Sequence, residues 1–455
     1  MHGPQAPEDL PLSIGSLLRL ATPVVVSRIG IMAMGLVDAI VVGQHSATQL
    51  GYQALGWAPT GVVITTSVGL MAGIQVKTSQ AIGEGRAADT GAILRRGVAY
   101  SFWIGLVATA LLAGLGGPAM HMLGLAPALA DGATPVLQVL ALALIPILVA
   151  DSGVFWLEAH GRAVPGMIAM WGANVVNLCI NLWLVPGTSG LPVEGAVAAS
   201  WATFISRMAL LVFVWFLIAR WPAARGLGVF TPAPRDPVAA AEMRAIGYGA
   251  AGSYFIESGA FSAMSIYAGW LGALSVASWA IVLNMAALIF MVPLGLATAT
   301  AVFVGRAYGA GNPVGVRRAA RLGFLATVAA TLLICAGVGF GNRLIAGAYT
   351  NEPAVLAMAA SALLLSCLFF VADGLQVVGA SSLRAQSDVW MPTVMHSASY
   401  LLVMMPLAYV FAFTLAMGVN GIVWAVIIAS LVSAVLLWGR FLWLTRPLPA
   451  APASA

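Results

Sequence analysis

Three carboxylates stand in stretches of sequence otherwise suited to hydrocarbon: Asp38 in "GLVDAIVVG", Glu257 in "FIESGAF" and Asp373 in "VADGLQ". None has a basic residue within one helical turn along the chain. A charged group near a bilayer centre costs roughly 2.5–3.5 kcal/mol on insertion scales, so each needs a protein or water partner, or a task. The chemistry open to such a carboxylate is binding and releasing a proton or a small cation. Three further ionisable residues lie inside apolar runs. Arg28 and Asp151 are near span ends, where snorkelling or local pairing accounts for them. Arg207 is deeper, and both neutralisation of a carboxylate and a functional role stay open. "NVVNLCINLW" adds Asn174, Asn177 and Asn181. Asn177 and Asn181 are four apart and share a helix face. Amide oxygens beside a carboxylate suit a cation or proton site, and interhelical hydrogen bonding is the other reading.

These residues need elements to hold them, and the composition says of what kind. The chain has 455 residues, of which 61% are hydrophobic and 8% charged. Ordinary soluble domains carry about 25% charged residues. Too little polarity remains for a soluble surface, so the expectation is an all-α polytopic membrane protein. The formal net charge of +5 does not point to nucleic acid, because the basic residues cluster between apolar runs. Cys179, Cys335 and Cys367 read as small buried hydrophobes with free thiols. "MHGPQAPEDLPL" has no basic region and does not read as a signal peptide. The histidines, His2, His45, His121, His160 and His396, are scattered, so no metal site is expected beyond Na⁺ at the carboxylates. No P-loop, HExxH or G-x-S-x-G motif is present, and "GAGNPVG" at 309–315 reads as a turn; an enzyme is not expected.

Twelve spans are expected, at 20–43, 53–75, 97–118, 134–157, 165–186, 193–220, 244–271, 277–304, 319–341, 354–380, 391–414 and 417–444. Basic residues alternate between connections, with Lys77, Arg86, Arg95 and Arg96 after span 2 and Arg306, Arg317, Arg318 and Arg321 after span 8; Arg343 is the exception. By the positive-inside rule both termini are cytoplasmic. "GLMAGIQVKTSQAIGEG" from Gly69 echoes "GLATATAVFVGRAYGAG" from Gly295, a shift of 226 that also carries Arg95 onto Arg321 and "GAVAA" at Gly195 onto "GIVWA" at Gly421. Two six-helix repeats that enter from the same side are related by a pseudo-two-fold axis along the membrane normal. The expected division is an N-terminal lobe at 1–222, a cytoplasmic linker at 223–241 within "WPAARGLGVFTPAPRDP", and a C-terminal lobe at 242–455.

The chain resembles the MATE family, the multidrug and toxic compound extrusion transporters, in its bacterial NorM-type branch. The resemblance rests on "LATPVV" with "GLVDAIVVG", on "PLGLATATAVFVGRAYGAGN", "FIESGAF" and "DGLQVVGASSLRAQSD", and on "NLCINLWLVPG" leading to "GAVAASWATFIS". It implies two lobes in a V around a central cavity, exporting small organic cations in exchange for H⁺ or Na⁺, with no cofactor. It implies an N-lobe ion site at Asp38, Asn177, Asn181 and Thr203 and a C-lobe site at Glu257 and Asp373; Asn174 and Arg207, read from the residues themselves, are accessory candidates. A monomer in the bacterial inner membrane, surrounded by lipid, is expected. Phe369 stands where some sodium-coupled members have a tyrosine one turn before the span 10 aspartate, which weighs against sodium there. Arg28 is not expected from the family. A lipid-linked saccharide flippase of the same broad superfamily is the alternative, although flippases tend to line their cavity with basic residues.

Overall fold

The computed structural model describes residues 11–122, 126–232 and 235–446. The N-terminal stretch with His2, the extreme termini and positions 233–234 of the expected linker lie outside the described residues. Twelve long helices run through the described chain: α1 (Ile14–His45), α2 (Ala47–Gly83), α3 (Thr90–Met122), α4 (Pro127–Ala159), α5 (Ala163–Leu184), α6 (Gly195–Arg220), α7 (Pro237–Trp270), α8 (Ala273–Gly309), α9 (Pro313–Tyr349), α10 (Pro353–Arg384), α11 (Trp390–Thr414) and α12 (Val419–Leu444). Eleven are long and apolar enough to cross a membrane. The other, α7, is 34 residues long and carries Glu242, Arg244 and Glu257. Helices satisfy all backbone hydrogen bonds within the segment, which is what a lipid interior demands.

Local signals set the helix starts. Ser46 caps α2 by accepting from the Gln49 amide, and Asn312 caps α9 by accepting from the Gly315 amide at 2.8 Å. Pro313 follows at the first helical position, where its missing N–H costs nothing. The stretch 309–315 is thus the turn into α9, with Gly311 in the left-handed region at φ 63°. Helices overrun the apolar runs at both ends: α4 reaches Ala159, two residues past the expected span, and so includes Glu158. Apolarity marks the hydrocarbon layer, whereas the backbone stays helical beyond it. From Ala398 onward α11 contains π-turns, at Ala398–Met404 and Val410–Thr414.

The chain forms two compact units, Leu18–Ser258 and Gly259 onward, the latter with Leu12–Leu17. The division falls inside α7 and not in 223–241, because the first half of α7 packs closely on α2. A Cβ added at Gly69 would lie 2.7 Å from Ala251 Cα, Gly73 backs onto Met243, and Lys77 pairs with Glu242 at 2.7 Å. The segment expected to be a linker is docked on the same unit: Gly91 donates to the Leu227 carbonyl at 2.8 Å and Arg95 to that of Val229 at 2.9 Å. The core of this unit gathers Met71, Ile74, Leu94, Trp156, Leu210 and Met243. In the second unit α10 packs on α8, α9 and α12. Large apolar side chains cover the outer surfaces, Phe340 at 94% and Leu333 at 76% exposure among them. Such a surface belongs in lipid, and the protein is a multi-pass membrane protein. Cys179 is exposed on that surface rather than buried, while Cys335 and Cys367 are half-buried free thiols.

Candidate functional site

The first unit brings Asp38, Asn177, Asn181 and Thr203 together. α1 carries the carboxylate at 2% exposure; α5 carries the two amides and α6 the hydroxyl, all three fully buried. Asp38 Oδ1 accepts from Asn177 Nδ2 at 3.0 Å and Asn181 Nδ2 at 2.6 Å. Its Oδ2 accepts from Thr203 Oγ1 at 2.5 Å. Asn181 also donates to Asn177 Oδ1 at 3.1 Å, and its own Oδ1 is buried without a hydrogen-bond partner among the described residues. Three donors on one carboxylate form a preorganised anion cradle. A proton taken up by Asp38 would break part of it, and a small cation there would find a carboxylate oxygen and a spare amide oxygen.

Asn174 stands apart, donating to the Met170 carbonyl at 2.9 Å on its own helix. Arg207 lies one turn beyond Thr203 on α6 and is buried. It makes no hydrogen bond to Asp38; its guanidinium sits over Trp57 at 5.6 Å and acts electrostatically on Asp38 and Asp151. Arg28 and Asp151 do not snorkel, being 5% and 2% exposed. Arg28 pairs with Glu158 at 3.4 Å and stacks on Phe155 at 5.2 Å, and Gln75 donates to the other Glu158 oxygen at 3.1 Å. Glu158 is a buried charge absent from the sequence reading, since it fell one residue outside the expected span. Glu257 is buried on α7, the last turn of the first unit.

Asp373 belongs to the second unit, buried on α10. Gln376, one turn on, donates to Asp373 Oδ1 at 2.7 Å and reaches the Tyr400 hydroxyl at 2.5 Å. Tyr400 sits in the first π-turn of α11, a backbone feature that often re-aims side chains at functional positions. Phe369 faces Phe261, with ring centroids 5.8 Å apart, and Phe261 in turn lies 6.3 Å from the Tyr400 ring. A phenol is therefore present near Asp373 from a different helix, joined to it through Gln376. Gln376 was visible as a polar residue at i+3 from Asp373. Tyr400 had no local sign.

The MatE family model matches the chain twice, at residues 23–183 and 250–410. The two stretches begin 227 residues apart, the duplication seen in the sequence as a shift of 226. The chain is 49% identical over 431 residues to a probable multidrug resistance protein NorM of Caulobacter vibrioides, covering 93% of this chain and 90% of that one. It is 30% identical to the multidrug resistance protein PmpM of Pseudomonas aeruginosa, covering 88% and 86%. Among solved structures it resembles an outward-facing multidrug resistance MATE family transporter of the MOP superfamily, with a TM-score of 0.86, 19% identity and coverage of 98% and 100%. A eukaryotic MATE transporter gives a TM-score of 0.86 at 18% identity, with coverage of 95% and 96%. At those identities the structural likeness carries the two-lobe fold and nothing finer.

Proposed function

The chain belongs to the MatE family, and from that premise we propose that it is a secondary active exporter of small organic cations, driven by inward movement of protons. The observation that carries this reading is the cradle around Asp38: a buried carboxylate gripped by Asn177, Asn181 and Thr203 inside a lipid-embedded helical unit. A purely structural role would not need an isolated anion where a hydrophobe would pack more cheaply. Loading Asp38 with a proton removes its charge and weakens three hydrogen bonds at once, which lets α1 repack against α5 and α6. Drug and proton then oppose each other by linkage, each weakening the other's binding by the same factor. Relatives named for multidrug resistance support export of drugs over a flippase activity.

Protons are chosen over sodium because Phe369, one turn before Asp373, supplies no oxygen and the Tyr400 hydroxyl nearby is engaged by Gln376. In this reading Glu257 and Asp373 hold the cationic drug or the coupling ion, the protein works as a monomer in the bacterial inner membrane, and both termini face the cytoplasm. The test is transport of a cationic dye in proteoliposomes with pH and sodium gradients imposed separately. Export driven by a pH gradient alone is expected. Export that needs sodium and ignores pH would reverse the choice of ion, and no export under either gradient would remove the reading.

A further inference from the structure

Five ionisable side chains form a buried series in the first unit, and the coupling reading uses only one end of it. Arg207 lies one turn past Thr203, which donates to Asp38 at 2.5 Å, and its helix α6 packs on α4, which carries Asp151. Arg28 lies over Phe155, one turn past Asp151, at 5.2 Å and is paired with Glu158 at 3.4 Å. Signs alternate along the series, and no member is more than 5% exposed. Three carboxyls face two guanidiniums, so the fully ionised series would hold one negative charge over. An uncompensated buried charge is strongly disfavoured, and one extra proton belongs to the series.

Hydrogen-bond donors show where that proton can sit. Asp38 accepts from three donors, and Glu158 from Arg28 and Gln75. Asp151 is different: its Oδ2 is buried with no partner among the described residues, and so are Nε and Nη1 of Arg207. An orphan acceptor on α4 and two orphan donors on α6, the helix packed against it, all away from water, are a costly arrangement in any static structure. It makes sense in an element that rearranges.

We propose that Asp151 is a second proton-binding carboxyl of this protein, one step along from Asp38, and that Arg207 is the positioning residue that changes partners between them. The proposal rests on the proton-coupled reading above. In the first state the O–H bond is on Asp38 and Arg207 balances ionised Asp151. In the second the O–H bond on Asp38 has broken, one has formed on Asp151 Oδ2, and Arg207 balances ionised Asp38. Arg28 and Glu158 neutralise each other throughout, so the series is neutral in both states and only a proton has moved.

Three helices order the series in one direction. Arg28 precedes Asp38 by ten residues on α1, Arg207 follows Thr203 toward Arg220 on α6, and Glu158 follows Asp151 by seven toward Arg162 beyond α4. Seven residues of helix are about 10 Å, and they return to nearly the same face. The series therefore steps toward the arginine-bearing ends, the cytoplasmic side in our reading. Other ionisable groups around this half of α4 are mostly engaged elsewhere: His160, just past the end of α4, contacts the Thr90 hydroxyl at 3.3 Å and the Trp156 carbonyl at 2.8 Å. On α2, Lys77 pairs with Glu242; on α3, Arg96 pairs with Asp236 and Arg95 bonds the Val229 carbonyl, whereas the Tyr100 hydroxyl is buried without a hydrogen-bond partner among the described residues. The polar residue of α5 nearest in sequence, Asn174, is bonded to Met170.

The test pairs infrared spectroscopy with transport, on full-length protein in lipid. Asp151→Asn leaves two carboxyls against two guanidiniums, with no exchangeable proton. With both states populated, the spectrum of wild type minus Asp151→Asn should show protonated carboxyl C=O absorption, and the Asp151 component should return at a shifted position in Asp151→Glu. Export of dye down a pH gradient should fall about tenfold or more in Asp151→Asn, while dye binding in alkaline buffer changes by less than about threefold. Asp151→Glu should recover a large part of the export, which a merely structural role would not require. Should Asp151→Asn fail to fold, Asp151→Glu alone must still move the band. An unchanged band, or wild-type export by Asp151→Asn, overturns the proposal. Absence of export in the wild type under either gradient would defeat the transport reading, and the infrared band would still decide whether Asp151 holds a proton.

Discussion

Arg28 on α1 meets Glu158 on α4 at 3.4 Å, across 130 residues of sequence and out of reach of solvent. The Arg28 guanidinium also lies over Phe155, and Gln75 satisfies the second carboxylate oxygen. This pair ties the first helix of the unit to the fourth at a depth where neither charge has water to fall back on.

Breaking that pair from one side should be far worse than removing it whole. Arg28→Met leaves Glu158 buried and unbalanced, a loss of about 3–5 kcal/mol for such pairs, whereas replacing both partners by apolar residues of similar size is often neutral. We expect a large drop in melting temperature for Arg28→Met and recovery in the double variant Arg28→Met/Glu158→Leu. Thermal unfolding in detergent, followed by tryptophan fluorescence, measures it. Equal melting temperatures for the single variant and wild type would show the pair to be energetically idle.

Much of this was legible in the sequence, and the omissions have a physical pattern. The helices follow from apolar length, and the amide pair from the spacing of Asn177 and Asn181, because both are properties of one segment. Glu158 was lost because hydropathy locates the edge of the oil and not the end of the helix. Gln75 and Tyr400 were lost for another reason: their partners lie 83 and 24 residues away, and nothing local marks a glutamine or tyrosine as a second partner. Arg207 was seen but not its relation to Asp151, since α4 and α6 meet only in the fold.

The cradle at Asp38 predicts a graded series. Asp38→Asn should keep the fold, since the amide replaces the carboxylate at nearly constant shape, and should lose most of the pH dependence of dye affinity. Thr203→Val removes one of three donors and should cost about 1–3 kcal/mol, part of it as stability and part as a shifted pH response. Dye binding by purified protein across the neutral range separates the two. A wild-type pH response in Asp38→Asn would make Asp38 a packing residue.

Close packing of α7 on α2 predicts intolerance at Gly73, which backs onto the Met243 main chain. Gly73→Val must push the helices apart, a distortion worth about 1–3 kcal/mol or more. Gly259 on α7, where an added Cβ meets nothing within 4 Å, is the control. Parallel expression and melting measurements on Gly73→Val and Gly259→Ala should show a large loss in the first and little change in the second.

Membrane orientation can be read at two exposed turns. In a cysteine-free background, Ala310→Cys between α8 and α9 should react with a membrane-impermeant thiol reagent only from the cytoplasmic side. Thr188→Cys between α5 and α6 should react only from outside. Both positions are exposed in the structure. Reaction of both from one face would contradict the topology inferred from the arginine-rich connections.

The last prediction concerns Asp373. Its oxygen accepts from Gln376, which also reaches the Tyr400 hydroxyl, so the carboxylate is held through a two-step chain that ends on a π-turn of α11. If Asp373 holds charge for transport, Asp373→Asn abolishes export without unfolding the protein, as Glu257→Gln should in the first unit. Tyr400→Phe is the more discriminating change. It keeps the ring that faces Phe261 and removes only the oxygen, leaving Gln376 with one partner fewer. A buried hydrogen bond of this kind contributes about 0.5–1.5 kcal/mol, so stability should drop little. Export should fall about tenfold or less, with the loss in turnover rather than in dye affinity, because Gln376 becomes free to leave Asp373. Gln376→Leu should lose both the positioning and the donor to Asp373, and so approach Asp373→Asn. Initial rates at saturating dye, set beside equilibrium binding, distinguish these outcomes. Wild-type turnover in both Tyr400→Phe and Gln376→Leu would mean that Asp373 works without its hydrogen-bonded chain.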